Sequence, residues 1–184
     1  MKAVRLTIAV MLICLVAASA HARRKARIAD LRAFIEGQIV YASFRVENAF
    51  TERMEEAINS GIPSTFTYRI LLIEKGSGIG TRKVVNRIIK RTITYDTINK
   101  RYFVTLREGA DPVAAKDFED AKRLMTTVDR IAIAPTSWLL PNATHRLRIK
   151  AELEKIKLPF YLHYLFIFVS LWDFETDWAE VEVR

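Results

Sequence analysis

Hydrophobic and polar residues alternate most cleanly between Leu147 and Leu153. Leu147, Ile149, Ala151 and Leu153 fall on one side, and Arg146, Arg148, Lys150 and Glu152 on the other. A period of two with one apolar side predicts a half-buried strand of an antiparallel sheet. Residues 65–75 repeat the pattern, with Phe66, Tyr68, Ile70 and Leu72 on one face. Val40, Ala42, Phe44 and Val46 alternate with Tyr41, Ser43 and Arg45, and Glu36-Gly37 supplies a turn, so residues 28–46 read as a hairpin. Strands are also expected over 83–95 and 102–107, joined by a turn around Thr97-Ile-Asn99, and over a final run opened by Trp178.

Two stretches change period. In residues 50–59, Phe50, Met54, Ala57 and Ile58 share a helical face, Thr51 can cap the start, Gly61 closes the end and Pro63 forbids continuation. In residues 117–129, Phe118, Ala121, Leu124, Met125 and Val128 form the stripe, and Asp117, Glu119 and Asp120 crowd the first turn, where the helix dipole favours them.

Residues 158–172 are different again. Only His163 and Ser170 are plainly polar, and Phe160, Tyr161, Tyr164, Phe166, Phe168 and Trp172 are aromatic. Water does not accommodate such a run; sheet, membrane or partner must cover it. Pro159 suits the first turn of a helix. Fifteen residues at 1.5 Å reach roughly 22 Å, short of the ~30 Å hydrocarbon layer, which argues against a spanning helix. The expectation is a third helix that completes the core, with an interfacial or docking segment as the alternative; Tyr161, His163, Tyr164 and Trp172 are its candidate contact residues.

Residues 1–22 have the form of a secretory leader: Lys2 and Arg5, a mostly apolar run over 6–18, then Ala18-Ser-Ala20 and Ala20-His-Ala22 as cleavage sequences. Arg23, Arg24, Lys25 and Arg27 follow, and clustered positive charge resists translocation, so an uncut N-terminal anchor is the alternative. Either way the chain is expected in the periplasm or cell envelope. Cys14 lies inside the leader, so the remainder has no cysteine for disulfides, thiolate chemistry or metal. Residues 23–184 suit a single domain. The net charge of +8 falls to +6 without Lys2 and Arg5. A basic exported protein meets acidic lipid headgroups and acidic protein faces more readily than nucleic acid.

Candidate chemistry is thin. Gly76-Ser-Gly-Ile-Gly80 lacks the spacing of a dinucleotide or nucleotide loop and opens no helix. His145 and His163 are isolated, and no cofactor, metal or nucleotide is implied. Asp173, Glu175 and Asp177 alternate; on a strand they would lie ~6.5–7 Å apart, loosely the spacing of an acid/base pair, which leaves a carboxylate-dependent hydrolase as a remote alternative. Residues 75–95 contain six basic side chains and no acidic one. Strict alternation puts Lys83, Arg87 and Arg91 on one face and Arg82 and Lys90 on the other. They read as a charge-guarded edge strand, or as a surface for an anionic lipid or an acidic partner.

Leu139, Pro141, Leu147, Ile149 and Ala151 resemble the turn into a central strand of fibronectin type III domains, with Ala143 and His145 where that family has threonine and tyrosine. This makes a two-layer antiparallel sandwich of immunoglobulin or fibronectin type the expected fold, with α+β, helices on one sheet face, as the alternative. Asp30-Leu-Arg-Ala-Phe-Ile-Glu-Gly37, Tyr41-Ala-Ser-Phe-Arg-Val-Glu-Asn-Ala-Phe-Thr-Glu-Arg53, Leu158-Pro-Phe160 and Phe168-Val-Ser-Leu-Trp-Asp-Phe-Glu-Thr-Asp-Trp178 resemble the bacterial domain-of-unknown-function family numbered 4390. The resemblance implies a small exported protein, encoded beside membrane sensor kinases of the nitrogen-regulation type. The combined expectation is a non-enzymatic envelope protein that binds a partner, with an anionic lipid- or glycan-binding module as the alternative.

Overall fold

The computed structural model describes residues 25–76, 80–154 and 174–184. Residues 1–22, expected from the sequence to be a leader, and the aromatic run 158–172, expected to be a third helix, lie outside the described residues. The elements are β1 (Arg27–Glu36), β2 (Ile39–Glu47), α1 (Glu52–Asn59), β3 (Ser64–Lys75), β4 (Thr81–Asp96), β5 (Arg101–Thr105), β6 (Val113–Ala115), α2 (Phe118–Thr126), β7 (Thr127–Pro135), a 3-10 turn (Thr136–Trp138), β8 (Thr144–Leu153) and β9 (Ala179–Glu182).

These strands form two antiparallel sheets, β1-β2-β7 and β6-β5-β4-β3-β8-β9. The order is that of an immunoglobulin-like sandwich. β1, β2 and β7 stand as strands A, B and E; β3, β8 and β9 as C, F and G; β4 and its neighbours extend the second sheet on the C side. The expected sandwich is therefore the observed fold. Leu139 packs against the core at the corner between β7 and β8, and Leu147, Ile149 and Ala151 are fully buried behind it.

The alternating strands supply the interior. Phe66, Tyr68, Ile70 and Leu72 of β3 have no exposed surface, and each such side chain contributes ~1.5–3 kcal/mol by leaving water. Tyr68 meets Phe44 of the facing sheet with ring centroids 5.5 Å apart, and its hydroxyl donates to the Met125 carbonyl. A run of rings continues through Phe50, Phe66 and Phe174, with Phe66 and Phe174 at 4.6 Å.

Both helices form where periodicity placed them. Thr51 Oγ1 accepts the Met54 amide at 3.3 Å, and Asp117 Oδ1 accepts that of Asp120 at 2.7 Å. The second is shorter than the 117–129 stripe predicts. It ends at Thr126, and Val128 belongs to β7, opposite Phe44 of β2. The β-branched Thr127, Val128, Ile131 and Ile133 favour a strand, and β2 offers it a ladder.

The two flanks of the sandwich differ. On one, the chain end after β9 bonds backbone to backbone with β1: the Ile35 amide donates to the Arg184 carbonyl (2.9 Å) and the Arg184 amide to Ala33 (3.2 Å). On the other, β7 is the edge of its sheet, and β4 pairs with β5 only over residues 92–96. Residues 81–91 of β4 thus have a strand partner on one side only among the described residues.

Candidate functional site

The open flank is built on a bulge. β4 pairs with β3 as Leu72↔Val85 and then Ile73↔Lys83, so one extra residue of β4 is accommodated there. The slip reverses alternation beyond it. Arg82 pairs with the buried Glu74 and turns inward with Arg87 and Arg91; Lys83 and Lys90 belong to the outer face. Strict alternation had grouped Lys83 with Arg87 and Arg91, and the bulge overturns that grouping.

The inward arginines reach across the flank. Arg91 Nη1 donates to the carbonyls of Leu124 and Thr127, both at 2.6 Å, and its guanidinium lies 6.0 Å from the Tyr68 ring centroid. Arg87 Nη2 donates to the Ala132 carbonyl at 2.5 Å. These carbonyls lie on β7 and at the end of α2, so two side chains do here what backbone bonds do on the closed flank. Burial pushes the Arg91 pKa below the usual guanidinium value. Neither arginine has a carboxylate partner among the described residues, and the Nε atoms of both are buried without a hydrogen-bond acceptor.

Between β4 and β7 lies a groove of about 580 Å³. Phe44, Tyr68, Ile89, Leu106, Val128 and Ile131 make its apolar wall; Arg87, Arg91, Arg107 and Arg130 supply positive charge, and Asp129 is its one carboxylate. Arg130 is engaged by Glu36 at 3.0 Å and stacks over Tyr41 at 4.3 Å.

A second cluster lies toward the end of β4 nearest Thr81. Glu74 is buried, and its carboxylate accepts from Arg82 Nε (2.5 Å) and the Leu140 amide (3.1 Å), with His145 Nε2 at 3.3 Å. Arg82 also donates to the Trp138 carbonyl at 3.0 Å. The Arg82 hydrogen bond is the main cause that holds the Glu74 carboxyl below its ordinary pKa, against the opposing effect of burial. Sequence reading treated His145 as isolated. The three residues come together only through the β3–β4–β8 register, and the position of Arg82 in it depends on the bulge.

The remaining candidates are dispersed. Glu175 is paired with Lys150, and Asp177 with Lys25 at 3.0 Å. Lys83 is exposed and makes no ion pair among the described residues. Tyr161, His163, Tyr164, Trp172 and Asp173 lie outside the described residues. On the outer face of the large sheet, Arg69–Glu152 (2.8 Å) and Arg146–Glu180 (2.9 Å) tie neighbouring strands together, and Lys90–Glu154 (2.8 Å) links β4 across β3 to the residue after β8.

The family described as Domain of unknown function (DUF4390) matches residues 23–182. The chain belongs to that family. No curated protein and no solved structure matches it.

Proposed function

We propose that this member of the family is an exported, non-enzymatic envelope protein that works by binding another protein, the extracytoplasmic part of a membrane sensor kinase being the candidate partner. One observation carries the reading. Residues 81–91 of β4 have no strand partner on the side away from β3 among the described residues, beside an apolar groove, and Arg87 and Arg91, which line that groove, make no ion pair with a carboxylate among the described residues. Exposed strand edges are ready templates for another chain. The carboxylates elsewhere support the same reading: Glu74, Glu152, Glu154, Glu175, Asp177 and Glu180 are all spent in ion pairs with lysine or arginine. The leader-like residues 1–22 support export.

A photo-reactive residue tests the reading in cells. Ile88 is 49% exposed on the single-sided part of β4; Ile98, 89% exposed, lies in the β4–β5 turn and serves as control. A cross-link from position 88 to an envelope protein, absent from position 98, is the expected result. No adduct at 88, or equal adducts at both, contradicts the reading.

A second reading, a role at the lipid surface, is favoured by where the chain enters and leaves. Lys25, just after the leader, is bonded to Asp177, and the Leu153 amide bonds to the Phe174 carbonyl at 3.0 Å. The described residues that flank the two apolar stretches of the sequence, Lys25 for one and Leu153 for the other, therefore both bond to the short segment 174–177. Flotation with vesicles containing anionic lipid, reversed by salt, is the result this second reading requires.

A further inference from the structure

We infer that the open flank takes an extended, acidic segment of a partner protein, added as a strand to residues 81–91 of β4. This rests on the protein-binding reading above and specifies the chemistry of the partner.

Three observations lead to it. β4 runs on beyond β5, so an incoming strand would continue the line that β5 leaves at Thr105 and find a ladder partner already in place. The inner face of this part of β4 presents Arg87, Ile89 and Arg91 at alternate positions, opposite Ile70, Tyr68 and Phe66 of β3. Cross-strand neighbours sit close enough to pair, so the matching face of the added strand carries acid, apolar side chain and acid at alternate positions. Arg87 and Arg91 make no ion pair among the described residues: they bond to neutral carbonyls, Asp129 acts on Arg91 only through space, and their Nε donors are buried and unused. Charge-assisted bonds to carboxylates are stronger than those to neutral carbonyls, which gives an acidic strand something to gain.

The same charges select against a second copy of this chain. Pairing two β4 edges would oppose Arg82, Lys83, Arg87, Lys90 and Arg91 with one another, and like charges directly across a ladder are destabilising. The edge is thus protected from self-association and left open to an acidic strand.

The test uses short synthetic peptides and fluorescence anisotropy on the intact chain. One peptide carries glutamate, valine and glutamate at alternate positions with threonine between; a second replaces both glutamates with lysine; a third keeps the glutamates and is N-methylated on alternate amides, which removes ladder donors. The first is expected to bind, the second and third to bind roughly tenfold more weakly or not at all. Arg87→Glu is expected to lower affinity for the first peptide by a similar factor, and Arg87→Ala, which removes the charge without reversing it, serves if the charge reversal unfolds the protein. Equal binding of the glutamate and lysine peptides overturns the acidic character. Undiminished binding of the methylated peptide overturns strand addition. If the position-88 cross-link forms and the glutamate peptide does not bind, the inference fails and the protein-binding reading stands; if neither occurs, both fail.

Discussion

The two flanks of this sandwich solve one problem in opposite ways. Where β1 meets the chain end, the sheets are joined by main-chain bonds between Ala33, Ile35 and Arg184. Where β4 faces β7, they are joined by the side chains of Arg87 and Arg91, which reach carbonyls of Leu124, Thr127 and Ala132. A main-chain closure uses up the edge it seals. A side-chain closure leaves the backbone donors and acceptors of the β4 edge in place, engages only carbonyls of α2 and β7, and sets a positive charge between the sheets. One flank is finished; the other is held shut by groups that a carboxylate can recruit.

The largest effect that separates them belongs to Arg91. Arg91→Ala removes two half-buried bonds, to the Leu124 and Thr127 carbonyls, and is expected to lower stability by about 2–3 kcal/mol, read from the urea midpoint. A loss below ~0.5 kcal/mol would mean that the open flank needs no latch. Arg82→Ala follows. It leaves the buried Glu74 carboxylate with the Leu140 amide and His145 alone, at a cost of about 2 kcal/mol.

That cluster also carries a pH signature. The folded pKa of Glu74 lies below its ordinary 4.5, so its contribution is present above that value and is lost as pH falls through the depressed one. Replacing Glu74 with Gln removes this acid-dependent part, and the variant is expected to show a flatter stability profile below pH 4.5 than the parent. An identical acid profile would assign the loss to other carboxylates. Tyr68→Phe strips the hydroxyl from the Met125 carbonyl behind the groove and costs about 1 kcal/mol. The smallest effect is on the closed flank: deleting Arg184 removes both main-chain bonds to β1 at the solvent-exposed end, for ~0.5–1 kcal/mol. A larger loss there than at Arg91 would invert the comparison.

Much of this sandwich was legible before its structure. β3 and β8 declare themselves because each buries one complete face, so their alternation is unbroken. Helix starts were legible because capping is local: Thr51 and Asp117 act within three residues. β7 was not. It follows α2 without a loop, and its pairing with β2 slips twice, so its buried Val128, Ile133 and Ala134 keep no simple period. β6, three residues long, is too short for a pattern. The open flank was half legible. The basic run was evident, but β4 is no edge strand as a whole: β5 pairs with it from Thr92 on and only residues 81–91 are single-sided among the described residues, and which arginines face inward depends on the bulge beside Leu72/Ile73, which alternation does not reveal. Glu74, Arg82 and His145 meet only because β3, β4 and β8 pair in one register.

Amide hydrogen exchange along β4 in the free protein tests the central claim most directly, because one strand contains both situations. Thr92 and Ile93, paired on both sides, are expected to be slow, whereas residues 81–91, paired with β3 alone, should alternate, with every second amide exchanging fast where no strand receives it. Uniform slow exchange from Thr81 to Ile93 would contradict it, for it would mean that the edge already has a partner within the chain.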